Sequence, residues 1–257
     1  ANGYTFDNYG TGSTDAHPVA DVSWYDVVKW CNAKSEMEGL TPVYLVNGAT
    51  YKQGQAAPTV NSVSNGYRLP LVKEWEFAAC GGVNTQNYTY SGSNNIEEVA
   101  WYLGNSNRIS STVGKKKPNE LGIYDMSGNV EEWCWDAGSY GFDKHVKGGN
   151  FDDPAERIVA LVAGNGGGPD YHFGIFGFRY ARNTIGDMLT VQGGTLPQSS
   201  ELAGETVQTF QIARTEVTLG EWQGVRDWAL ANGYSDLAGV GETYPAGSAD
   251  NFPVVNV

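Results

Sequence analysis

The chain has 257 residues, of which 40 % are apolar and 12 % aromatic, and it carries a formal charge of −13. That length buries one large core or two small ones, and so strong an acidity disfavours nucleic acid and anionic membrane as partners, since both would repel it. No apolar run approaches the ~20 residues that span a bilayer.

No signal peptide is legible, because Ala1 opens directly into polar, turn-forming sequence; the expectation is an extracytoplasmic protein, secreted or at the cell surface. The first element is a helix from about Trp24 to Met37, with Ser23 as its cap, Gly39 as its stop signal and Val27, Val28, Cys31 and Trp24 facing inward. Pro70 opens a second helix, Leu71 to Cys80, closed by Gly81-Gly82. Lys115-Lys116-Lys117 is the only basic run and reads as a solvated loop. Thr218 begins a third helix, with Glu221 completing a capping box and Trp222, Val225 and Trp228-Ala229 as its apolar stripe. Elsewhere short apolar runs alternate with Gly, Asn and Ser clusters, and the 34 glycines fit short strands joined by long loops.

The cysteines are Cys31, Cys80 and Cys134. An odd number, widely spaced and without a CxxC, argues against a disulfide framework or a zinc site, and buried free thiols acting as small hydrophobes are expected. His17, His145 and His172 form no His-x-x-x-His pattern. Gly164-Asn-Gly-Gly-Gly168 is followed by Pro-Asp rather than Lys-Ser, which is a poor phosphate loop, and no Gly-x-Ser-x-Gly elbow occurs.

The chain also repeats itself. Ala1-Asn-Gly-Tyr4 recurs as Ala231-Asn-Gly-Tyr234, and Pro18-Val-Ala-Asp-Val22 as Pro253-Val-Val-Asn-Val257. A circular permutant, a fragment of a tandem array and a non-native segment order all account for this. One globular unit spanning 1–257 is expected, because ~70 residues alone could not bury their own apolar face.

The densest stretch is Gly122-Ile-Tyr-Asp-Met-Ser-Gly-Asn-Val-Glu-Glu-Trp-Cys-Trp-Asp136, followed by Lys147-Gly-Gly-Asn150 and Gly177-Phe-Arg179. With Val191-Gln-Gly-Gly194, Glu216-Val-Thr218, Tyr67-Arg-Leu-Pro70 and Glu74-Trp-Glu76, these blocks resemble the formylglycine-generating enzyme (sulfatase-modifying factor) family. The resemblance implies an α+β, loop-rich fold of the C-type-lectin kind, with few short helices and small antiparallel sheets. In that order, 185–257 resembles the family's N-terminal part and 1–184 the remainder. The family's two copper-binding cysteines would fall near Asp153 and Ile158. Neither is a thiol, and Cu(I) needs soft thiolates, so copper is not expected. The resemblance also implies a structural calcium ion held by Asn129 and Glu132, whose hard oxygens suit it; a hydrogen-bonded Asn–Glu pair pinning the turn is the alternative. Arg68 and Arg179 read as forks that satisfy buried carbonyls or a carboxylate, Glu74 or Glu76 in the case of Arg68.

Residues 150–176 differ in kind. Polar Asp152, Asp153, Arg157, Asn165 and His172, aliphatic Ile158, Val162 and Ile175, and the rings of Tyr171, Phe173 and Phe176 follow neither helical nor strand periodicity. Lys, Gln, Met and Trp are missing from the segment and Glu occurs once. It resembles the variable region of diversity-generating-retroelement variable proteins, which use the same fold. Its composition is that of a paratope, with rigid rings for area and small polar groups for adaptable hydrogen bonds. The expectation is a non-catalytic protein that meets a protein or cell-surface ligand through these residues, without membrane insertion. The alternatives are a sulfatase-modifying enzyme with an altered active site and a structural module of a larger envelope protein.

Overall fold

The computed structural model describes residues 6–8, 10–138, 141, 143–159, 166–183 and 188–231. Helix α1 spans Trp24–Met37, and Ser23 caps it by accepting from the Asp26 N–H. Its inner face carries Trp24, Val27, Val28 and Cys31, all buried, as the 3.6-residue period demands. On the same helix the buried Asn32 accepts from the N–H groups of Val43 and Tyr44 and donates to the carbonyls of Tyr44 and Tyr51. That one amide fixes a small sheet of β1 (Tyr44–Val46), β2 (Ala49–Thr50) and β3 (Thr59–Val60), ordered β2-β1-β3.

Helix α2, Val72–Ala79, is held at its start by Glu74, whose carboxylate accepts from the Leu71 N–H at 2.8 Å and takes both arms of the Arg68 guanidinium at 2.6 and 2.7 Å. The expected role of Arg68 is thus observed with Glu74, while Glu76 pairs with the buried Lys147 at 2.9 Å. A one-turn helix α3, Ile96–Val99, follows. Strand β4 (Glu131–Ala137) is central to a second sheet, antiparallel to β5 (Lys144–Lys147) and parallel to β6 (Phe176–Gly177). A third sheet joins β7 (Ala181–Arg182), β8 (Leu189–Val191) and β11 (Phe210–Ile212) in the order β7-β11-β8, with the hairpin β9 (Gly194–Thr195) and β10 (Thr206–Val207) beside it. Helix α4, Leu219–Ala231, closes the described chain. Thr218 Oγ1 accepts from the Glu221 N–H, but the Glu221 carboxylate does not return to the cap; Tyr180 and Lys34 take it instead.

Two apolar clusters form the interior. One gathers α1, α4 and the Trp133 face of β4; the other gathers α2, Ile123, Met126, Ala181, Val191, Phe210 and Ile212. Both draw on residues before 184 and after 187. In the first, the Trp30 and Trp222 rings lie parallel at 6.1 Å, joining α1 to α4. Trp133 is fully buried, donates to the Val22 carbonyl at 2.9 Å and meets Phe176 edge-on at 4.9 Å. Trp133→Ala should therefore cost about 3–5 kcal/mol, as the loss of a large buried aromatic does; chemical denaturation would read it, and a loss below about 1 kcal/mol would show that the ring is dispensable.

Candidate functional site

The residues singled out between 150 and 176 lie on two pieces of chain that converge on β4 and β6. Gly148 and Gly149 turn the chain out of β5 with φ of 98° and 69°, a region open to glycine. A Cβ on Gly149 would lie 2.8 Å from Ile158 Cδ1 and 3.0 Å from the Arg157 carbonyl, so the turn closes tightly over the residues that follow. Asn150 then pins the loop: its N–H and Nδ2 reach Asp153 Oδ2 at 3.1 and 2.7 Å, and its Oδ1 accepts from the Asp152 N–H at 2.8 Å. The loop is also tied to the turn after α3, where Leu103 N–H donates to the Asp153 carbonyl at 3.0 Å and Ser106 Oγ to the Phe151 carbonyl at 2.6 Å. Arg108 reaches Asp152 at 2.8 Å.

The second piece runs 166–176. Gly167 bridges Lys144 of β5, the Phe173 carbonyl accepts from the Asp21 N–H at 3.0 Å, and the Ile175 carbonyl accepts from the Glu131 N–H at 2.9 Å. His172 Nδ1 lies 2.9 Å from Asp21 Oδ1. These ties leave Tyr171 52 % exposed and the side chains of His172 and Arg157 49 % and 62 % exposed.

The predicted set therefore divides. Asp152, Arg157, Tyr171 and His172 reach solvent, and Phe173 and Ile175 are half-buried against the core. Ile158, Phe176 and Asp153 are buried, which corrects their reading as ligand-contacting: the first two fill apolar space, and the third is consumed in holding the loop. Val162 and Asn165 lie outside the described residues. Sequence reasoning missed the turn after α3, which adds exposed Leu103 and Ile109 beside Arg108. Consecutive left-handed residues, Asn107 and Arg108 at φ 56° and 60°, shape it; the Gly104-Asn-Ser-Asn107 cluster was the available signal.

Beneath this face lies an acid pair. Glu131 is buried next to Asp153, with Asn150 donating to its Oε1. Burial first, and then the neighbouring Asp153 charge, push the Glu131 carboxyl up to about 8. A second acid cluster sits deeper. The Glu132 carboxylate receives Nε and Nη2 of Arg179 at 2.6 and 2.5 Å and Trp75 Nε1 at 2.7 Å. Arg179 also donates to the Tyr124 and Ala213 carbonyls, the fork role expected of it. Close by, burial raises Asp125 to about 6 and holds Glu216 well above the usual carboxylate range; the Glu132 charge adds to the first shift and the Asp125 charge to the second. Asp125 Oδ1 and Glu216 Oε2 are buried oxygens without a hydrogen-bond partner among the described residues, and burial favours the protonated form of such groups.

These contacts bear on the expected metal ligands. Asn129 Oδ1 accepts from the Ser111 N–H and its Nδ2 donates to Glu216 and to the Ser111 carbonyl, while both oxygens of Glu132 serve Arg179 and Trp75. Calcium takes six to eight free oxygens, so Asn129 and Glu132 do not fit it; they are the hydrogen-bonded pins of the turn, each through its own partners. No group of three or more His, Cys, Asp or Glu able to hold a metal occurs among the described residues. Copper fits no better. Cys31 and Cys134 are buried in different clusters, burial raises both thiols well above their usual range, and Cys80 is pushed up to about 11.

Comparison with known proteins places this geometry. The chain is 43 % identical over 155 residues to the chaperone protein LppX of Paenibacillus barcinonensis, covering 51 % of this chain and 55 % of that one. It is 29 % identical over 163 residues to the formylglycine-generating enzyme of Thermomonospora curvata, covering 58 % and 42 %. The chain thus spans about half the length of these relatives. Among solved structures, Treponema denticola variable protein 1 superposes with a TM-score of 0.59 at 27 % identity, covering 69 % of this chain and 76 % of that one. The fold is the loop-rich α+β architecture of that family. Residues 5–184 match the sulfatase-modifying factor enzyme 1-like domain, and the chain belongs to that family.

Proposed function

We propose that this chain is a non-catalytic binding protein, secreted or displayed at the cell surface, that meets a polypeptide or cell-surface ligand with the outer residues of 150–176. One observation carries the reading. At the two positions where the family's thiols would fall, this chain has a carboxylate tied into its own loop and a buried isoleucine, while the same loops raise Tyr171, His172 and Arg157 into solvent. The chemistry is missing and the surface is kept. Rings of limited rotamer freedom on a hydrogen-bonded base lose little entropy on binding. The likeness to a variable protein supports a face whose residues differ between copies, and the name of the chaperone relative supports a polypeptide ligand. Among the described residues, no helix is long and apolar enough to cross a membrane.

The competing reading is an oxidising enzyme of the same family with altered metal chemistry. Incubation with copper and a cysteine-containing sulfatase peptide separates the two: an unchanged peptide is expected, and conversion of its cysteine to formylglycine would reverse the assignment. Sequencing the locus from several isolates should show substitutions gathered in 150–176; an even spread along the chain would count against a variable face.

Tyr171→Ala and His172→Ala should each shift stability by no more than about 1 kcal/mol, as exposed substitutions do, while altering the peptides selected from a displayed random library. Unfolding of either variant would show that these rings belong to the core.

The acid pair beneath the face makes stability depend on pH. Its folded-state value is raised, so the native state keeps a proton that the unfolded chain gives up above the ordinary 4.5. Stability from this group accordingly falls as pH rises from about 4.5 to about 8 and is constant beyond. Glu131→Gln, which retains a donor towards Asp153, should raise the melting temperature at pH 8 and lose that advantage near pH 4.5. An effect independent of pH would mean that Glu131 is ionised in the folded protein.

A further inference from the structure

We propose that the turn after α3 is a fixed half of the binding face, where Arg108, with Arg157 on the loop that the turn braces, takes an acidic side chain of the bound polypeptide while Ile109 and Leu103 cover an apolar residue beside that acid. The proposal rests on the reading of 150–176 as a polypeptide-binding surface and names the ligand chemistry that this surface takes.

The ion pairs come first. Inside the protein, at Lys29, Lys147 and Arg179, the cationic side chain is at most 2 % exposed. On the face the order reverses. The Arg108 side chain is 63 % exposed over an Asp152 at 31 %, and that of Arg157 is 62 % exposed over an Asp153 at 10 %. In Lys73–Glu205 and Arg226–Asp227 the carboxylate is instead the more exposed partner, and in Lys117–Glu98 both are open. The two arginines therefore turn their charge outward, each above the aspartate that pins it.

Each pin uses one nitrogen. Arg108 reaches Asp152 through Nη1 at 2.8 and 3.2 Å, and Arg157 reaches Asp153 through Nη1 at 3.5 Å. Among the described residues, Nε and Nη2 of these two guanidiniums donate to no protein group. That edge is the fork which grips a carboxylate by two parallel bonds. Arg179 shows it in use within the same chain, its Nε and Nη2 taking the two oxygens of Glu132. A guanidinium already pinned at Nη1 has less freedom to lose when its other edge is engaged.

Charge around the turn is balanced, although the chain carries −13. Glu131 beneath keeps its proton at neutral pH, so Arg108 and Arg157 offset Asp152 and Asp153. The exposed Glu156 precedes Arg157 in the chain, which leaves Arg108 as the principal contact. One carboxylate can approach here at close range, whereas a run of acids meets the repulsion of the whole molecule. An apolar neighbour is therefore the complement of the acid. Leu103 and Ile109, with Tyr171, are three of the seven large apolar side chains exposed on the described surface.

The turn is braced from within. Asn105 Oδ1 accepts from the Tyr102 N–H and its Nδ2 donates to the Ala100 carbonyl, each at 3.0 Å, and Ser106 Oγ accepts from the Arg108 N–H at 3.0 Å. Leu103, Arg108 and Ile109 all lie outside 150–176. They give every ligand the same contact, while the rings across the face choose among ligands.

The test selects peptides from a displayed random library on the full chain. The selected peptides should share an Asp or Glu next to an aliphatic residue. Arg108→Gln should weaken each of them about tenfold, the scale of a charge-assisted hydrogen bond, and Arg108→Lys, which keeps the charge without the fork, should restore little. Replacing the peptide's acid by its amide should cost as much on the wild type and nothing further on Arg108→Gln. Ile109→Ser should also weaken all the peptides, whereas Tyr171→Ala should weaken some and spare others. Both turn variants should melt within about 2 °C of the wild type, as exposed substitutions do. Peptides with no acid in common, or affinities unmoved by Arg108→Gln, overturn the anchor and leave the binding reading standing. Loss on amidating the peptide's chain end, with its side-chain acid dispensable, overturns the side-chain assignment. A library that yields no peptide on the wild type sinks the binding reading, and the anchor falls with it.

Discussion

The fully buried pair of Glu132 and Arg179 is the contact on which the rest of the structure turns. Glu132 sits on β4, Arg179 lies between β6 and β7, and Trp75 of α2 donates to the same carboxylate. One acid thereby sets the position of a helix and two sheets. Such a pair is weak evidence for net stability, since desolvation offsets most of the attraction. Its effect is on uniqueness. A guanidinium with no exposure has to find a carboxylate and carbonyls in a fixed geometry, and the carbonyls of Tyr124 and Ala213 come from distant parts of the chain. The presence of Glu132-Trp133 and Gly177-Phe-Arg179 in one sequence is the imprint of that demand.

Around this pair the protein buries more acid than base. Asp125 with Glu216, and Glu131 with Asp153, are carboxyl pairs; burial first, and then a neighbouring carboxylate's charge, raises Asp125, Glu216 and Glu131 above the usual carboxylate range. The formal charge of −13 counts these carboxyls as ionised, so it overstates the charge of the folded chain near neutrality. The deeper pair sits beside the Arg179 cluster. The shallower one lies directly under Asn150 and Asp153, where the outer loop is fastened. The exposed rings of Tyr171 and His172 thus stand beside a hydrogen-bonded and largely buried base, the division between framework and surface loop usual in folded domains.

How much of this was legible follows from which residues have a local signature. The limits of α1 were readable because Ser23, a 3.6-residue apolar stripe and Gly39 all agree. The same held for α4, although Glu221 left the cap for Lys34 and Tyr180, partners that only tertiary packing supplies. Arg68 found Glu74 because six residues and a turn bring them together. The 150–176 loop was legible as a surface but not residue by residue. Ile158, Phe176 and Asp153 turn inward where no period announces it, because glycine turns and the Asn150 contacts set their direction. Asn129 and Glu132 carry oxygens suited to calcium, and nothing local reveals that Ser111, Arg179 and Trp75 claim them first. The turn bearing Arg108 and Ile109 depends on left-handed residues other than glycine, which sequence reads poorly.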